Sequence, residues 1–197
     1  MYTLYIYGKI NHNRRLTVRD DRGQIRYLID GASNRNDNLI TLSDLNGDVI
    51  LSAKQIMFTP LPLFHLMKDD QKIGSVRRHP DLFGIRESYF TVHPHDWVIA
   101  GDFSDVNFVI HHNHQLIMKC KKIFIDEYDL FQLEIKNEKD GPLTSLLAVV
   151  LDYYSHIRTD VEEEQNIHES GYNLGLFNNI KLSHTLQKTN AYKTKTR

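Results

Sequence analysis

The chain has one cysteine, one tryptophan, five prolines and almost no excess of charge of either sign. Each shortage excludes something. A lone Cys120 leaves no internal disulfide and no cysteine-rich zinc site, a pattern that fits a reducing compartment. With 24 Lys plus Arg against 25 Asp plus Glu, the formal net charge is -1, so no global field draws the protein to nucleic acid or to an anionic membrane. Any such contact has to be local, and no specific nucleic-acid binding is expected. No apolar run reaches the ~20 residues a spanning helix needs. The opening MYTLYIYGKI lacks the charged and apolar regions of a secretory signal. These absences lead to the expectation of a cytoplasmic protein without a transmembrane segment, with peripheral membrane attachment as the one membrane role left. Phosphate-binding glycine loops, G-x-S-x-G elbows and H-E-x-x-H pairs are also missing, so neither an enzyme nor a cofactor is expected.

What is present is the composition of a folded protein, 41% hydrophobic and 10% aromatic, dominated by strand signals. Twelve candidate strands span about 2–8, 14–20, 23–31, 38–44, 47–56, 61–69, 71–79, 85–93, 96–103, 106–112, 114–124 and 128–136. The turns between them repeat. Asp20-Asp21-Arg22-Gly23, Asp44-Leu45-Asn46-Gly47, Lys68-Asp69-Asp70-Gln71 and His111-His112-Asn113-His114 occupy equivalent places between paired apolar runs, as in a loose hairpin repeat. Phe131, Leu133 and Ile135 alternate with Gln132, Glu134 and Lys136, the pattern of a wall with one face to a core and one to water. Twelve antiparallel strands in an open sheet would leave two exposed edges, which closure removes. A closed barrel of that size is wider than the ~8-strand case that wall side chains fill unaided. Something else must occupy it.

The segment PLTSLLAVVLDYYSHI, 142–157, is the one strongly helical apolar stretch. On a helical wheel Leu143, Leu146, Leu147, Val150, Leu151 and Tyr154 form one apolar face, widened by Val149 and Tyr153. The remaining arc, Thr144, Ala148, Asp152 and Ser155 with Ser145 beside it, is mostly small, so a barrel wall can approach there too. Asp152 is the exception, because a buried carboxylate needs a cation or several donors. Gly141 at the cap, Pro142 at the first helical position and Asp140 near the positive end of the dipole mark the start.

The hairpin series with its terminal helix resembles the LURP-one-related proteins of the tubby C-terminal superfamily, which also holds the phospholipid scramblases. Three stretches carry the likeness: LTVRDDRGQIRYLIDG, LITLSDLNGDVI and DLFQLEIKNEKDGPLTSLLAVVLDYY. The resemblance implies a closed antiparallel barrel of twelve strands around a hydrophobic C-terminal helix, and it implies that an Asp in that helix is a familiar feature. The expected domains are a barrel with its helix over 1–157 and an extension over 158–197. The extension carries an acidic block, Asp160, Glu162, Glu163, Glu164 and Glu169, and then a basic end; it reads as partly disordered with a short helix near 180–187. Tubby proteins bind phosphoinositide head groups through basic residues outside the barrel, but no stretch here matches that motif residue by residue. No binding residue is carried over.

The expected function is therefore a non-enzymatic binding or scaffold module, with an unknown protein partner or an anionic membrane surface meeting the outer wall or the extension. Arg77, Arg78, Lys119, Lys121 and Lys122 are the candidate basic patch, Lys119 and Lys121 sharing a strand face. The competing reading of these residues is an ordinary solvated wall. An alternative function is metal binding or a metal-dependent enzyme using His93, His95, His112 and His114, since alternate strand positions can chelate with a third ligand. Against it, both histidine clusters fall where hairpins turn and polar side chains simply face water. Cys120 reads as an inert packed residue and Trp97 as a core or barrel-mouth aromatic.

Overall fold

The computed structural model describes residues 1–7, 15–31, 39–56, 59, 61–80, 88–103, 105–125 and 128–155. Twelve strands run in chain order: β1 Tyr2–Tyr7, β2 Leu16–Asp20, β3 Ile25–Asp30, β4 Leu39–Ser43, β5 Val49–Gln55, β6 Leu63–Lys68, β7 Gln71–His79, β8 Tyr89–His93, β9 Trp97–Asp102, β10 Asn107–His112, β11 Gln115–Ile125 and β12 Tyr128–Ile135. Each pairs antiparallel with its sequence neighbours, and β1 pairs with β12 from Tyr2↔Ile135 to Tyr7↔Leu130, which closes the barrel. A 3-10 turn, Glu138–Asp140, leads into helix α1, residues 141–155. The segment 156–197, which holds the expected extension and the last two residues of the expected helix, lies outside the described residues.

Alternation sorts the wall. Leu4 and Ile6 of β1, Leu16 and Val18 of β2, Phe90 and Val92 of β8, and Leu133 and Ile135 of β12 face inward and are fully buried. The interior they line is filled by α1, whose residues Thr144 to Tyr153 are all buried. Burial therefore extends all around the helix, including the small-residue arc of the wheel. Each buried Leu or Val there contributes about 1.5–3 kcal/mol.

In this up-and-down order, every connection after an even-numbered strand lies at one end of the barrel. These include the four repeated short turns, and the sequence repeat is real in structure. Asp20 Oδ1 accepts hydrogen bonds from the backbone N–H of Arg22 (3.0 Å) and Gln24 (2.9 Å), and Asp44 Oδ1 accepts from Asn46 and Asp48 (both 2.9 Å). Each turn then uses a left-handed glycine, Gly23 at φ 77 or Gly47 at φ 93, with a register shift beside it. The β6–β7 and β10–β11 hairpins instead turn through consecutive positive-φ pairs, Asp69-Asp70 and Asn113-His114.

Helix α1 enters from this same end. Gly141 is its first helical residue, at φ -53 and ψ -50, one position further inside than a cap. A Cβ at Gly141 would lie at ordinary contact distance, 3.5 Å from Leu4 and 3.6 Å from Tyr2, where the helix passes the barrel rim. At the other end Tyr154 packs edge-on against Phe90, ring centroids 5.6 Å apart.

Candidate functional site

The filled interior directs attention to the wall, and there the five candidate cations separate. Strand β11 sends Lys119 and Lys121 outward, opposite Glu134 and Gln132 of β12, while Cys120 and Lys122 between and beyond them pair with the inward residues Leu133 and Phe131. Strand β7 does the same with Arg77 and Arg78. Arg77 is exposed; Arg78 pairs with inward Phe90, and its Nη1 donates to Tyr154 Oη of α1 at 2.6 Å with the guanidinium 5.5 Å from that ring. Arg78 thus pins the helix end near the barrel mouth. Strand order places β7 four strands from β11, on the order of 15–20 Å along the wall at ~4.8 Å per strand. Arg77, Lys119 and Lys121 are outward residues on two separate strips, not one patch.

The four histidines are likewise dispersed. His93 and His95 flank the β8–β9 turn, where His93 Nδ1 lies 3.5 Å from Asp96 Oδ1 and the His95 ring lies 5.0 Å from Trp97. His112 approaches Asn113 at 2.9 Å on the β10–β11 turn, and His114 is exposed in the left-handed conformation. Among the described residues no three His, Cys, Asp or Glu side chains come together as metal ligands.

Cys120 is buried, and burial, with the charge of Asp152 adding to it, pushes its thiol far above the ordinary value. The thiol is held protonated and is a poor nucleophile. The same coupling locates Asp152, which is 3% exposed, beside β11, and Asp152 is engaged by a partner rather than bare. Trp97 is buried, as a core aromatic.

Two wall strips carry positive charge outward. On the first, the row Lys121, Gln132, Tyr5, Arg19 crosses β11, β12, β1 and β2, and the Arg19 guanidinium lies over the Tyr7 ring at 5.0 Å. Glu134 interrupts it. The second strip was not visible in residue spacing. Lys54 of β5 is the cross-strand neighbour of His65 of β6, and Lys72 Nζ of β7 lies 3.1 Å from His65 Nε2. Burial first, then the charges of Lys72 and Lys54, lower the pKa of His65. A groove of about 370 Å³ lined by Met1, Gln115, Leu116, Ile117 and Lys136 lies at the short-turn end.

Among the described residues no helix is long and apolar enough to cross a membrane. No curated protein matches the chain. An X-ray structure of a protein from Arabidopsis thaliana is similar, with a TM-score of 0.52 over 77% of this chain and 90% of that one, at 13% sequence identity. At that identity the likeness concerns the fold. A family model described as LURP-one-related matches residues 2–152, from the first residue of β1 to the buried aspartate of α1. With its twelve strands closed around that helix, the chain belongs to the LURP-one-related family.

Proposed function

We infer that the protein is a non-enzymatic binding module that meets an anionic membrane surface with its outer wall. The observation that carries this reading is the filled barrel: Thr144 to Tyr153 are buried against the inward wall residues, which leaves the outside as the place to bind. Lys119 and Lys121 supply outward charge on one strip, with Tyr5 and Tyr7 as neighbouring aromatic surface and Arg19 beyond them. Each cation held near an anionic bilayer contributes about 1 kcal/mol, so a strip of three gives weak, salt-sensitive attachment. The segment 158–197, with its basic end, adds a second contact on this reading. A protein partner of acidic surface is the competing occupant of the same strip.

Sedimentation with vesicles of phosphatidylcholine and phosphatidylserine is the test. The expected result is salt-sensitive binding that K119E/K121E weakens at least tenfold with the fold intact. Binding that is absent, or indifferent to that charge reversal, removes the membrane reading.

A further inference from the structure

Strands β5 to β8 contain no Asp or Glu at all. Their register sets out one outward row, Leu39, Lys54, His65, Ser75 and His93, with Arg77 in the next row between Leu63 and Thr91. In a regular hairpin Lys72 would share the inward side with Gly74 and Val76. The register shift between Leu66 and Met67 makes Ile73 an extra residue and pairs Lys72 with Met67 instead, which turns Lys72 outward. Gly74 makes this possible: a Cβ there would fall 2.2 Å from the His93 carbonyl oxygen, so no other residue lets β8 run this close beside the bulge. The bulge thus delivers the Lys72 ammonium to the His65 ring at 3.1 Å, with Lys54 on the opposite side.

The chemistry of that contact is specific. Lys72 can only donate, so a hydrogen bond here requires a neutral His65 that accepts at Nε2 and carries its proton on Nδ1. Protonating the ring would set two cations against each other. A doubly charged phosphate lying across the three side chains reverses this, because its oxygens accept from both ammoniums and from a protonated imidazole. The Ser75 hydroxyl stands next to His65 as a further donor. The charged groups acting on His65 are Lys54 from β5 and Lys72 from β7. The carboxylates of the adjoining hairpin, Asp69 and Asp70, are at its exposed tip, and Asp96 is engaged with His93. Among the described residues Lys54 and Arg77 have no carboxylate partner.

We propose that Lys54, His65 and Lys72 form a site for a phosphate monoester dianion, bound together with a proton taken up by His65. The site is separate from the Lys119 strip, so it stands or falls without the membrane reading. Its ligand is either a soluble phosphorylated compound or a lipid bearing a terminal phosphate.

The test follows the His65 ring signal by NMR through a pH titration of the full chain, assigned with H65Q, in inorganic phosphate and in chloride of equal ionic strength. Phosphate is expected to raise the His65 midpoint by about one pH unit, and by reciprocity to bind about tenfold tighter to the protonated ring. K72Q should abolish most of the shift and K54Q about half, while R22Q, a charge loss on a distant turn, should leave it whole. Phosphatidylcholine vesicles carrying phosphatidic acid form the second arm. A shift with inorganic phosphate assigns a soluble ligand, and a shift on vesicles alone assigns the lipid. No shift in either arm overturns the proposal, as does one that R22Q reduces as much as K72Q.

Discussion

The inner and outer faces of the same strands obey different rules. On β7, Arg78 turns inward to hold Tyr154 while Arg77, its sequence neighbour, faces solvent. On β11, Cys120 and Lys122 look toward the interior while Lys119 and Lys121 look out. Inside, side chains pack around α1, where Thr144 and Asp152 are partnered and the buried Ser145 hydroxyl is left without a hydrogen bond among the described residues. Outside, charge is free to vary, and what it can bind depends on which neighbours the register supplies. Identical residue types one position apart therefore differ in what they do, since the strand period of two decides the face.

The contrast breaks most visibly at the helix. Leu147→Ala, at a fully buried position, is expected to destabilise the fold by about 2–5 kcal/mol in a denaturant titration, whereas Val98→Ala on the outer wall should stay within about 0.5 kcal/mol. Arg78→Leu removes the tie to Tyr154 and is expected to cost about 1–3 kcal/mol by the same measurement. Arg77→Leu, its outward neighbour, should change stability little. The repeated turn sharpens the comparison further. Asp20 and Asp44 accept equivalent backbone hydrogen bonds, but Asp20 is buried and also lies 3.8 Å from Arg26. Asp20→Ala should therefore cost about 1–2 kcal/mol and Asp44→Ala under about 1 kcal/mol.

The smallest effect belongs to pH. The pKa of His65 is lowered in the fold, so below its ordinary value of about 6.5 the unfolded chain binds the proton more readily. Acidification through and below that value should erode stability slightly, and above it His65 should contribute nothing. Thermal unfolding of H65Q should show a flatter acid limb than the parent protein. An unchanged limb would mean that the ring is not held neutral by its burial and its two lysines.

Much of this was legible in the chain. Alternation and turn chemistry give twelve strands, and the D-x-x-G quartets are closed by their own aspartates at one end of the barrel. Those signals are local, carried by residues within five positions of each other. The helix was legible as an apolar run, but its wheel understated its burial, because a helix surrounded by wall has no solvent side for Thr144 or Ser145 to face. The candidate cations were grouped by proximity in sequence, and alternation alone separates Arg77 from Arg78 and Lys121 from Lys122. The Lys54, His65 and Lys72 cluster was hidden for another reason. It depends on a bulge, and one inserted residue inverts the facing of everything beyond it.

The sequence by itself determined the strand count, the turn positions, the apolar helix and the near-neutral total charge, since each follows from spacing, backbone preference or simple addition. Only the tertiary structure decided which cations share a surface. Register, closure of β1 on β12 and the bulge at Ile73 bring together side chains 11 and 18 positions apart, Lys54 with His65 and with Lys72, and separate others that are adjacent. Those are pairings between strands, and no single strand encodes them.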